Sequence, residues 1–325
     1  MVALAERRAG IYDAAMLGLR GMGGLLCVAA VVCMLGCVSP QQPAPPPPAP
    51  MQVSGEWGVP GEGPGQMNVP VSLATDGDGL VYVADAGSGF VTKYDWNGQA
   101  LYSFHHPRMR RPSGIAVDRG GAIYVADYSA ERVFVFYPDG RLLREMRGGP
   151  GRVFRGPAGV AVDGEGFIYV LEFDGARVQK FNPRGGFVRA WGQEGDGPGE
   201  FRYPADIAVG PDGLVYVGDT HGARVQKFTR DGEFMTAWSV AGDAPGATAE
   251  ATGLTVSDKW VFVADARNLR VQAWSTAGVL QHSDALGESF RGQFETPTDV
   301  AIGRGGELLV LDPARPRVLR VQVNF

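Results

Sequence analysis

Few residues in this chain combine a reactive type with a spacing that would serve chemistry. The histidines are His105, His106, His221 and His282, spread over separate stretches. A zinc hydrolytic or lyase centre needs about three ligands converging on one point. Asp206 and Asp299 are more informative, because they hold the same place in two copies of a recurring stretch, Pro204-Ala205-Asp206-Ile207-Ala208-Val209 and Pro297-Thr298-Asp299-Val300-Ala301-Ile302. Two carboxylates brought together suit a hard cation such as Ca²⁺, which prefers oxygen ligands. The competing reading is that each carboxylate only caps a turn or binds a backbone amide. Asp76-Gly77-Asp78-Gly79 begins like a calcium loop but lacks the next acidic or amide ligand and the distant Glu, so it reads as a hairpin turn. There is no phosphate-cradling loop and no Gly-x-Ser-x-Gly elbow. No catalytic residue is assigned.

A second group carries charge. Residues 105 to 155 hold Arg108, Arg110, Arg111, Arg119, Arg132, Arg141, Arg144, Arg147, Arg152 and Arg155, against Asp118, Asp127, Glu131, Asp139 and Glu145. Arg108, Arg110, Arg111, Arg152 and Arg155 fall in turn-rich stretches, with Phe104, Tyr128, Phe154 and Phe173 as candidate neighbours. Arginine with aromatic rings suits anionic or protein ligands. The competing reading is a solvated basic patch.

The elements that must position these residues are short strands. Gly114 to Val117, Ile123 to Ala126 and Arg132 to Tyr137 are β-branched and aromatic runs bounded by Asp118-Arg119-Gly120-Gly121 and Pro138-Asp139-Gly140. The same paragraph is written six times, beginning at Pro70, Pro112, Pro157, Pro204, Ala251 and Pro297. The acid after the second strand falls at Asp85, Asp127, Glu172, Asp219, Asp265 and Asp312, spaced by 42 to 47 residues. Five positions later stands Arg132, Arg177, Arg224, Arg270 or Arg317, with Phe90 in the first copy. Because nearly every copy has this acid and Arg, they read as architecture rather than as one site. A period in the forties with several strands per unit predicts an all-β, six-bladed β-propeller of four-stranded antiparallel sheets. The last copy lacks a fourth strand. Gln52-Val53-Ser54-Gly55-Glu56-Trp57-Gly58 resembles Phe187-Val188-Arg189-Ala190-Trp191-Gly192, so an N-terminal strand is expected to complete the last blade.

The pattern Pro-x-Gly-Ile-Ala-Val-Asp, Ile-Tyr-Val-Ala-Asp, Arg-Val-x-x-Phe resembles the NHL repeat over about residues 51 to 325. The resemblance implies that the fourth-to-first and second-to-third loops share one face, the usual ligand surface. It also places Ser72, Gly114, Gly159, Asp206, Gly253 and Asp299 near the axis. Asp206 and Asp299 are then the carboxylates of that ring, with His221 in a loop of the same face. Similar propellers include zinc-dependent amidating lyases with axial histidines and gluconolactonase-type enzymes with acidic and amide ligands. No His stands at the six axial positions, which disfavours the first. Some animal relatives bind RNA on this face. One scaffold hosts unrelated sites, so the resemblance bears on fold more than on function.

Residues 1–37 read as a lipoprotein-type signal peptide. Arg7, Arg8 and Arg20 precede an apolar run from Leu25 to Leu35, too short to span a bilayer comfortably. Met34-Leu35-Gly36-Cys37 looks like a lipobox with Cys37 as the lipidated residue; an uncleaved anchor is the alternative. Residues 38–50, rich in proline, read as a stiff linker. The three cysteines, Cys27, Cys33 and Cys37, all precede the repeats, so neither disulfides nor Cys-based zinc sites are expected within them. The net charge of −5 makes the chain a poor general polyanion binder.

These readings predict a lipid-anchored protein on the extracytoplasmic side of a bacterial membrane, binding a protein or cell-envelope glycan through its propeller, with no nucleic acid partner and no cofactor. The alternative is a metal-dependent hydrolase or lyase, with a divalent cation at the axis.

Overall fold

The computed structural model describes residues 51–241, 249–282 and 294–324. The expected signal peptide, Cys37 and the proline-rich linker lie outside the described residues, as do large parts of the loops around 240–250 and 287–296. Among the described residues no helix is long and apolar enough to cross a membrane.

The chain is all-β, with six four-stranded antiparallel sheets arranged as blades. Blade 1 comprises Pro70–Thr75, Val81–Asp85, Val91–Tyr94 and Ala100–Phe104. Blade 2 comprises Pro112–Val117, Ile123–Asp127, Arg132–Phe136 and Leu142–Met146. Blade 3 follows with Pro157–Val162, Ile168–Glu172, Arg177–Phe181 and Phe187–Trp191, and blade 4 with Pro204–Val209, Val215–Asp219, Arg224–Phe228 and Phe234–Ser239. Blade 5 is Ala251–Val256, Trp260–Asp265, Arg270–Ser275 and Leu280–His282. Blade 6 takes Asp299–Ile302, Leu308–Asp312 and Arg317–Val323 from the C-terminal part, and Met51–Trp57 as its outer strand. The expected closure is therefore present, with register from Met51 opposite Val323 to Trp57 opposite Val318. First strands pack on one another around the ring, that of blade 6 against that of blade 1.

The second strands are buried along their whole length, apart from Trp260 at the start of that of blade 5, and so read as nearly continuous apolar runs such as Ile168–Glu172. Each pair of neighbouring blades encloses an apolar cluster. Between blades 3 and 4, Leu171, Val178, Ile207, Val215, Val217 and Phe228 pack together. An additional plug residue stands three positions before the leading residue in five blades: Met67, Phe154, Phe201 and Phe294 are buried there, and Met109 is partly so.

Every fourth strand carries a bulge that skips one residue. The skipped residues are Leu101, Leu143, Val188, Met235, Gln281 and Ser54. A bulge bends an outermost strand and spoils its unpaired edge as a template for another chain. The structure also adds a small hairpin not read from the sequence, Gly148–Gly149 with Arg152–Val153, in the loop leaving blade 2.

Candidate functional site

At the axis, three of the six first strands carry a side chain that reaches the next blade, Ser72, Asp206 and Asp299, and the other three carry glycine. Asp206 accepts from its neighbour Ile207 N at 2.8 Å and from Leu254 N of blade 5 at 2.7 Å. Asp299 accepts from Val300 N at 2.8 Å and from Leu73 N of blade 1 at 2.9 Å. Ser72 Oγ accepts from Ile115 N of blade 2 at 3.2 Å. The glycines of the ring have no room for a side chain. A Cβ on Gly253 would lie 2.5 Å from Asp299 Cα, and one on Gly114 2.5 Å from the Ala158 carbonyl.

Asp206 and Asp299 line one axial cavity of about 250 Å³, walled by first-strand residues including Ile115, Val160 and Leu254. Burial pushes the Asp299 carboxyl up to about 7. Burial, and then the charge of Asp299, hold Asp206 well above the usual carboxylate range. The structure thus brings the two axial carboxylates together but leaves His221 outside their cavity. The His221 ring packs on Tyr203 at 4.8 Å instead. Among the described residues, no group of three or more His, Cys, Asp or Glu side chains is placed to hold a metal ion.

The recurring acid and Arg turn out to fasten loops. Asp127 accepts from Arg110 N at 2.7 Å and Arg111 N at 3.0 Å. Glu172 accepts from Arg155 N at 2.7 Å, and Asp219 from Arg202 N at 2.6 Å. The Arg of the pair then braces the acid: Arg177 to Glu172 at 2.8 Å, Arg224 to Asp219 and Arg270 to Asp265 at 2.7 Å. Its outer nitrogens reach carbonyls of the fourth-to-first loop, as Arg224 does to Asp196, Gly197 and Glu200. Blade 2 departs from this plan, since Arg132 turns to Glu145 at 3.4 Å. These bonds hold the second-to-third turns and the loops feeding first strands together on one face.

On that face the predicted arginines do not converge. Arg108 is neutralised by Glu145 at 2.8 Å. Arg110 and Arg111 contribute backbone N–H groups to Asp127. The Arg111 guanidinium lies over the Tyr128 ring, 5.4 Å from its centre. Arg152 pairs through its backbone with Gly149 in the small hairpin, and its side chain is outside the described residues. Arg155 faces a cavity of about 380 Å³ between blades 3 and 4, together with Phe173.

The rings do converge. Tyr128 meets Phe173 at 6.3 Å, Phe173 meets Tyr203 at 5.1 Å, and Tyr203 meets His221 at 4.8 Å, forming one stripe over blades 2 to 4. Tyr128 also donates its hydroxyl to Asp174 at 2.7 Å, which raises its pKa above the ordinary phenol value. That bond passes over Gly156, where a Cβ would strike both partners. Tyr203, Asp174, Glu194 and Arg202 were missed in the sequence, and Glu131 was read only as a countercharge. The usable signal was that Tyr203 stands where blade 3 has Gly156, just ahead of the leading proline.

Fold and loops together define a closed six-bladed β-propeller whose second-to-third and fourth-to-first loops share one face. The family model described as NHL repeat matches residues 109–136, 154–181 and 201–228, one stretch in each of blades 2, 3 and 4, so these blades carry NHL repeats. A comparison with curated proteins finds no match. Among solved structures, a streptogramin B lyase is similar at 12% identity and a TM-score of 0.61, over 84% of this chain and 98% of that one. A virginiamycin B lyase from Staphylococcus aureus, solved in a catalytically inactive form with quinupristin, is similar at 15% identity and a TM-score of 0.56, over 80% of this chain and 81% of that one. Its selenomethionine form gives 12% identity and a TM-score of 0.58, over 84% and 99%. At such identities the likeness is one of fold.

Proposed function

We propose that this protein is a lipoprotein of a bacterial cell envelope, tethered through Cys37, whose propeller serves as a non-catalytic binding or scaffolding module for a protein or glycan. The observation that carries this reading is the ring stripe with its adjoining cavity, a half-exposed aromatic surface that packing within the fold does not use up. No cofactor is assigned, and no nucleic acid partner is proposed, because carboxylates interleave with the arginines of this face. Crosslinking of the full-length protein in intact envelopes tests it. A partner captured by the wild type and lost in Phe173→Ala supports the reading; identical capture by both overturns it.

A second reading, a metal-dependent hydrolase or lyase of lactonase-like or amidating-lyase-like type, is favoured by one observation: two carboxylates with raised pKa share the axial cavity. The solved structures named above as similar in fold are lyases. Against it, each carboxylate already accepts two backbone N–H bonds, and His221 sits apart from both. Stoichiometric calcium or zinc in the purified protein, lost in Asp206→Ala, would revive it.

A further inference from the structure

We infer that the cavity between blades 3 and 4 is a saccharide site, taking a neutral, hydroxyl-rich glycan segment laid along Tyr203 and Phe173. The inference rests on the binding-module reading and narrows its partner. Phe201 and Ala176, both buried, form the cavity floor, and Phe173 and Tyr203 form its walls. Around them stand Glu131, Arg155, Glu194 and Arg202. Among the described residues the side chains of Glu131, Arg155 and Glu194 take part in no hydrogen bond or ion pair, although opposite charges line the same hollow. The site therefore offers both donors and acceptors that the fold leaves unused. A polyanion entering it would face Glu131, Asp174 and Glu194, and a simple cation would face Arg155 and Arg202. A neutral ligand rich in hydroxyls uses both kinds of group, while its C–H faces lie on the rings.

A backbone observation points the same way. Tyr203 is held at φ 50°, in the left-handed region that favours glycine. The other non-glycine residues with positive φ, Glu131, Ala176, Ala223 and Leu269, share one recurring turn position just before the bracing Arg, so they belong to the architecture. Tyr203 does not. At its equivalent, blade 3 uses Gly156 at φ 59°. The Tyr203 side chain is 47% exposed, so core burial does not repay its strain. A left-handed backbone at an exposed ring beside a cavity fits a residue that serves contact with a ligand.

The test is calorimetric titration of the full-length protein with chitohexaose, cellohexaose and maltohexaose. Polygalacturonate and the synthetic peptide SPQQPAPPPPAP serve as contrasting probes. Tyr203→Gly removes the ring and relieves the backbone, so its melting temperature should equal or exceed the wild type. Saturable binding of at least one neutral oligosaccharide, weakened about tenfold or more in Tyr203→Gly and in Phe173→Ala, is the expected result. Absence of binding to all three, or equal binding by wild type and variants, overturns the inference. Binding of polygalacturonate or the peptide alone also overturns it, yet leaves the wider reading standing if envelope crosslinking still depends on Phe173.

Discussion

A glycine in one blade is what makes room for an aspartate in the next. Gly159 and Gly253 precede Asp206 and Asp299 around the axis, and each aspartate uses that room to take N–H groups from two blades. Stapling blades this way buries a charge. Asp299 is only 6% exposed, and its carboxyl titrates at about 7, above the ~3.9 expected of an unfolded chain. The native state therefore holds a proton that the unfolded state has released. The stability this contributes is fully present below about pH 4 and is lost as pH rises towards 7, at a slope of at most about 1.4 kcal/mol per pH unit per proton. Asp206, raised by burial and by the charge of Asp299, adds to the same trend. Thermal melts across this range should fall more steeply with pH for the wild type than for Asp206→Asn. Parallel curves would show that the pair does not titrate as a unit.

At the scale of the element, the turn between second and third strands is held by a buried acid that ties down the incoming loop and is braced by one Arg. Asp219 is fully buried, so removing Arg224 leaves its charge without its main partner. Arg224→Ala should cost about 3–5 kcal/mol, read as a lowered denaturation midpoint. Arg141→Ala should leave the midpoint unchanged, because Arg141 and Asp139 pair in open solvent. The strands and their turns were legible because each blade repeats the same alternation, Gly-rich turn and acid. The fourth-strand bulges were not, since a residue such as Val188 or Met235 is skipped only once strands are in register. Nor was the plug role of Phe154 and Phe201, which depends on a neighbouring blade being there to receive it.

For the whole molecule, ring closure was readable from the likeness of Gln52–Gly58 to Phe187–Gly192, and the structure pairs Met51–Trp57 with Arg317–Val323. Deleting residues 51–57 should sharply lower the melting temperature, because Met51 and Trp57 leave two apolar clusters and blade 6 loses its outer strand. An unchanged melt would show that the ring holds without it. The candidate surface was legible only in part. Tyr128 and Phe173 follow the recurring acid and could be picked out, but their meeting with Tyr203 and His221 joins residues from three blades. No local pattern encodes which loops adjoin. The closing strand has one more consequence, in time rather than space. At ribosomal rates of roughly 5–20 residues per second, Met51–Trp57 emerges on the order of 15–50 s before its partner exists. A greasy segment left waiting that long would invite other nascent chains. Its make-up, with Gln52, Ser54, Gly55 and Glu56 among the strand-formers, suits a piece that must stay harmless until Arg317–Val323 is translated.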